Sequence, residues 1–119
     1  MSSADKIITA VKIIQDNLSN LISKIDAEID RGKAKILFLN GQTLYIKYND
    51  FSEYGYQFLF SDQPLNRVRY DNFDKNWKVE SAPHHLHPRG KEDGIASPMN
   101  GNPEKDIPIL CEMIRQNLH

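Results

Sequence analysis

Apolar residues return at alternating steps of four and three through Ile7, Val11, Ile14, Leu18, Leu21 and Ile25, and Ile8, Ile22 and Ile29 widen the stripe. This is the period of one face of an amphipathic helix, and it predicts a long N-terminal helix from Ala4 to about Asp30, within the segment 1–32. Ser2 with Asp5 three residues on resembles a capping box, and Gly32 supplies a stop. The same spacing would suit a two-helix coiled-coil seam, but it lasts only about three heptads, so packing onto a sheet is the preferred reading.

Beyond Gly32 the period changes from helical to alternating. Lys33–Leu39 and Gln42–Tyr48 flank Asn40-Gly41, a pair that takes the positive φ angles of a type I′ hairpin turn. Alternation then sets Leu44, Ile46 and Tyr48 on one side and Thr43, Tyr45 and Lys47 on the other. Further strands are expected near Tyr54–Phe60 and Leu65–Tyr70, separated by the turn Ser61-Asp62-Gln63-Pro64. The expectation is a four-stranded antiparallel meander over residues 33–72.

Residues 73–102 are rich in Asp, Asn, Gly, Pro and His and read as a long functional loop, in which Trp77-Lys78-Val79 offers a short strand. Ile107, Leu110, Cys111, Ile114 and Leu118 then mark a C-terminal helix over 103–119, with Pro108 placed in its first turn. The predicted class is therefore α+β: helix, four-stranded meander, histidine-containing loop, helix. A chain of 119 residues fits one domain with a core large enough to fold without metal or disulfide support.

Composition narrows the function only where charge clusters. A net charge of -1 supplies no global basic field, so any polyanion site must be local. The single cysteine, Cys111, forbids an intrachain disulfide and suits a cytoplasmic address; its place on the apolar side of the last helix makes it a core residue. No apolar run is long enough to cross a membrane, and no signal-peptide pattern opens the chain.

Between Pro64 and Lys91 stand six basic residues, Arg67, Arg69, Lys75, Lys78, Arg89 and Lys91, against three acids, Asp71, Asp74 and Glu80. Alternation puts Arg67 and Arg69 on one face, able to address one strand of phosphates. His84, His85 and His87 share the region. Cleavage of RNA by its own 2′-hydroxyl needs a base, a cation at the crowded phosphate and an acid at the leaving oxygen, and imidazoles serve both ends near neutral pH. Arg89 and Lys91 join Arg67 and Arg69 as phosphate-binding candidates. Asp71 is placed to orient a histidine tautomer, and Tyr70 and Trp77 can stack on bases, although an apolar anchor under the loop is the preferred reading of Trp77. This chemistry requires no metal or other cofactor. Two alternatives stay open: a metal-dependent hydrolase with the histidines as ligands, and a non-catalytic module that binds nucleic acid or protein through the same patch.

Arg69-Tyr70-Asp71-Asn72, followed by Pro83-His84-His85-Leu86-His87, Gly90 and Ser97-Pro98, resembles the order of motifs in the TumE-like toxins of bacterial and archaeal toxin–antitoxin modules. The resemblance covers about the carboxy-terminal half, and the stretch Asn100-Gly101-Asn102-Pro103 departs from it. It implies a toxin neutralised by a cognate antitoxin, frequently one with a helix-turn-helix domain. By analogy of fold with RelE and ParE toxins it also implies an RNA target and endoribonuclease activity.

Overall fold

The computed structural model describes residues 1–73 and 79–117. Helix α1 (Ser3–Leu18) is followed by strands β1 (Ile22–Glu28), β2 (Lys33–Phe38), β3 (Thr43–Tyr48), β4 (Tyr54–Leu59), β5 (Arg67–Asp71), β6 (His85–His87) and β7 (Ile95–Ala96), then by helix α2 (Pro103–Asn117). The strands form one seven-stranded sheet in chain order, and each pair is antiparallel. The α+β layout with a helix at each end agrees with the sequence reading. The four expected strands correspond to β2–β5, and the count is corrected to seven among the described residues.

The largest correction falls at the first helix. Ser2 caps it as expected, its hydroxyl accepting from Asp5 N at 3.1 Å, but α1 stops at Leu18 and the chain turns through a 3-10 segment into β1. The periodicity continues because β1 carries a bulge: Ile22 pairs with Phe38, Lys24 with Leu37 and Ile25 with Ile36. One extra residue in the strand puts Ile22 and Ile25, three apart, on the same face. A helical spacing is thereby satisfied by a strand.

Three smaller differences follow. At Asn40-Gly41 only Gly41 has a positive φ, 89°, so the connection is not a type I′ turn. Pro108 lies five residues beyond Pro103, inside α2 rather than in its first turn. Asn102 caps that helix, accepting from Glu104 N at 3.0 Å, and Pro103 takes the first position, where a missing amide hydrogen costs nothing. Within the segment read as a loop, residues 85–87 and 95–96 extend the sheet.

Alternation gives the sheet two unlike faces. Ala34, Ile36, Phe38, Leu44, Ile46, Tyr48, Tyr54, Tyr56, Phe58, Val68 and Tyr70 point toward a core closed by Ile7, Ile14 and Leu18 of α1 and by Ile107, Leu110, Cys111 and Ile114 of α2. Each large apolar side chain fully buried there contributes about 1.5–3 kcal/mol of transfer free energy. The opposite face carries Lys33, Lys35, Tyr45, Lys47, Gln57, Arg67, Arg69 and Asp71.

The core also contains a polar chain. The Tyr56 hydroxyl donates to Asp106 Oδ2 at 2.8 Å and so accepts from the Tyr48 hydroxyl at 3.0 Å. Asp106, fully buried, further accepts from the backbone amides of Asn100 at 3.0 Å and Gly101 at 2.7 Å. One carboxylate thus fixes the start of α2, the turn before it and the middle of the sheet.

Burial pushes the phenols of Tyr48, Tyr54, Tyr56 and Tyr70 upward from the ordinary value of 10.0, and it pushes the Cys111 thiol up to about 11 from 9.0. The folded state holds each of these acids neutral, so their stabilising contribution is complete below the unfolded values and is lost as pH rises through the folded ones. Stability is expected to be insensitive to these groups below about pH 9 and to fall steeply above about pH 10. Unfolding midpoints and tyrosinate absorbance measured across that range should move together. Ionisation of all four phenols in a chain that stays folded would overturn the assignment.

Candidate functional site

The site lies on the open face where β5 meets β6. Register pairs Asp71 with His85 and Arg69 with His87, so alternation brings all four side chains to one side of the sheet. They are adjacent through strand pairing, although thirteen residues, 72–84, separate β5 from β6 in the chain.

Asp71 is the hub. It is 2% exposed; its Oδ2 accepts from Arg69 Nε at 2.6 Å and its Oδ1 accepts from Phe73 N at 3.2 Å. His85 Nε2 stands 2.7 Å from Oδ1, and His87 Nε2 stands 3.9 Å from Oδ2. The far side of each ring is held by backbone: Nδ1 of His85 lies 3.0 Å from the Pro83 carbonyl and Nδ1 of His87 lies 3.0 Å from the Glu92 carbonyl. A carbonyl accepts only, so both Nδ1 atoms carry hydrogen and both Nε2 atoms are turned toward the carboxylate. His85 is 1% exposed, whereas the side chains of His87 and Arg69 are 13% and 43% exposed. The two accessible groups therefore border a cleft of about 350 Å³, lined also by Arg67, Phe73 and Glu92.

The other residues singled out from the sequence divide clearly. His84 turns to the opposite side of β6, where its Nδ1 and the Tyr54 hydroxyl lie 2.9 Å apart and its ring stacks on that tyrosine; three converging imidazoles are thereby reduced to two. Arg67 lines the cleft but spends its guanidinium on the carbonyls of Pro88 at 3.0 Å and Lys91 at 2.9 Å, bracing the turn after β6. Arg89 donates to Asn66 Oδ1 at 2.7 Å and covers the Phe60 ring at 3.9 Å. Lys91 is exposed. Tyr70 faces the core at 6% exposed, which removes its ring from any base on the open face. Trp77, like Lys75 and Lys78, lies outside the described residues.

Several motif residues prove to be supports. Asn72 accepts from Tyr54 N at 3.0 Å and donates to the Ser52 carbonyl at 3.0 Å, clamping the β3–β4 connection to the end of β5. Gly90, with φ of 81°, donates to the Leu65 carbonyl at 2.7 Å. The Ser81 hydroxyl donates to the His84 carbonyl and accepts from Ser97 N at 2.9 Å, tying the approach to β6 to β7.

Asp71, His85 and His87 can each offer one ligand atom, all within 4.8 Å of one another. Two imidazoles anchored through Nδ1 to carbonyls, with a carboxylate, form a donor set suited to a zinc-class ion with an open position. Against that capacity stands Arg69, whose fixed positive charge already occupies the carboxylate and would be pressed against any added cation. Sequence reading missed Tyr45, Gln57 and Phe73, which border the adjoining cleft on the same face. The alternation of β3 that displays Tyr45 opposite the core was the available signal.

Among the described residues no helix is long and apolar enough to cross a membrane. No curated protein and no solved structure matches the chain. The sequence model described as Toxin TumE matches residues 4–118, nearly the whole length and well beyond the carboxy-terminal motifs. With Tyr70-Asp71-Asn72 and the histidine tract joined in one strand pair, the chain belongs to the Toxin TumE family.

Proposed function

We propose that this toxin-family protein is a metal-independent endoribonuclease held in check by a cognate antitoxin, and that the open face between β5 and β6 cleaves the RNA. The observation that carries this reading is the pairing of an accessible imidazole, His87, with an accessible guanidinium, Arg69, on one buried carboxylate. His87 Nε2 takes the proton of the substrate's 2′-hydroxyl; the 2′-oxygen attacks phosphorus, and the bond to the 5′-oxygen breaks. Arg69 neutralises the charge that gathers on the phosphate, and the departing 5′-oxygen takes its proton from solvent in the open cleft. Asp71, with His85 locked beside it, positions Arg69 and stabilises the imidazolium that forms on His87, whose tautomer is fixed by the Glu92 carbonyl at Nδ1. The products are a 2′,3′-cyclic phosphate and a 5′-hydroxyl.

The test is a single-stranded RNA and the same strand with one 2′-deoxy nucleotide at the cut position, each incubated with purified protein in the presence of a chelator. Cleavage of the first with a cyclic phosphate end and survival of the second at that position are expected. A 3′-hydroxyl product, cleavage of the deoxy position or abolition by the chelator would instead support the metal-dependent reading that the Asp71, His85 and His87 donor set permits.

A further inference from the structure

A second cleft, of about 370 Å³, adjoins the histidine cleft and is lined by Tyr45, Lys47, Gly55, Gln57, Arg69 and Phe73. Arg69 and Phe73 are common to both clefts, so the two are steps of one groove across the sheet. The register explains its composition: Lys35, Tyr45, Gln57, Arg69 and His87 follow one another on neighbouring strands. At about 4.8 Å per strand this row spans roughly 19 Å from lysine to histidine.

We infer that this cleft is a nucleobase pocket, which holds an unpaired base next to the phosphate placed at Arg69 and His87. Two aromatic rings flank it, Tyr45 and Phe73, and each already has a lysine ammonium group near its face: Lys35 at 5.8 Å and Lys47 at 5.4 Å. Alternating rings and cations bind single-stranded nucleic acid, the rings stacking on bases and the cations following the backbone. Gly55 contributes no side chain to the floor, where a β-carbon would come 3.4 Å from the Phe73 ring. Gln57 has no side-chain hydrogen-bond partner among the described residues, and its amide offers donors and an acceptor to a base edge. Lys47 likewise forms no ion pair with a described carboxylate and can meet a phosphate, whereas Lys33 and Lys35 stand opposite Glu28 and Asp26 in the β1–β2 register. Bases in a duplex are stacked and paired and cannot enter such a pocket, so the ligand class is single-stranded RNA.

The pocket rests on the endoribonuclease reading for its RNA, but its test does not require cleavage. The probe is a short, single-stranded, fully 2′-deoxy oligonucleotide, which lacks the attacking hydroxyl, compared by fluorescence anisotropy with an abasic strand of equal length. The parent protein is expected to prefer the base-bearing strand by about tenfold or more, within the range that base stacking on one aromatic residue provides. Tyr45→Ala should erase that preference while keeping the salt dependence set by the lysines. Tyr45 is 40% exposed on the open face, and Phe73→Leu provides a second variant with the same expected loss. Equal binding of the two strands by the parent, preference retained in both variants, or no binding at low salt would overturn the pocket. Preference present in a protein that cleaves no RNA would preserve the pocket and remove only the catalytic reading.

Discussion

His87→Asn is expected to lower RNA cleavage by about 10²–10⁴-fold, the range that a positioned proton-transfer group contributes, while leaving the unfolding midpoint close to that of the parent. Asparagine keeps a donor near the place of Nδ1 and so preserves the bond to the Glu92 carbonyl. It offers nothing at the place of Nε2 that can take up a proton. A different pattern is expected for Asp71→Asn, which weakens the partners of Arg69, His85 and Phe73 together and should reduce activity and stability alike. Activity assays read beside thermal unfolding separate the two. Cleavage within a few-fold of the parent in His87→Asn would remove that residue from the chemistry.

Asp106→Ala is expected to cost about 3–5 kcal/mol of stability, because it strands several donors at once and each unmet buried group costs about 1–3 kcal/mol. The Tyr56 hydroxyl and the amides of Asn100 and Gly101 all lose an acceptor inside the protein, and Gly101 sits against the Tyr54 ring with φ of 91°, which leaves that turn little room to seek another. Denaturant titration measures the loss. Asp106→Asn retains one oxygen and should lose less. A cost below about 1 kcal/mol for the alanine variant would mean that water or a rearranged turn replaces the carboxylate.

Legibility in the sequence followed the range of the interactions involved. The strands β2 to β5 were readable because alternation is a local signal, and Gly41 and Pro64 mark their turns. The switch from α1 to β1 was not, since Leu18, Ile22, Ile25 and Ile29 keep a helical beat that only pairing with Ile36 and Phe38 reveals as a bulged strand. Strands β6 and β7, of three and two residues, are too short to carry a period and exist through their neighbours. The same limit governed the site. Asp71, His85, His87 and Arg69 could be nominated from residue type, but the exclusion of His84 depends on which side of the sheet it leaves, and the commitment of Arg67 and Arg89 to local bonds depends on the path of the turn after β6. Tyr45 stood outside the basic tract altogether and is brought into line with Arg69 and His87 by register across three strand pairs.

The side-by-side packing of α1 and α2 bears on when the protein becomes complete. A sheet whose order is the chain order can zip up as each strand follows its predecessor from the ribosome, and the histidine pair is laid down on β6 before α2 has been made. The apolar stripe of α1 then waits for a lid that arrives last. A nascent chain from which α2 has not yet emerged should therefore present greasy surface to chaperones and proteases, so that the interior is sealed only after the histidine pair is already in place.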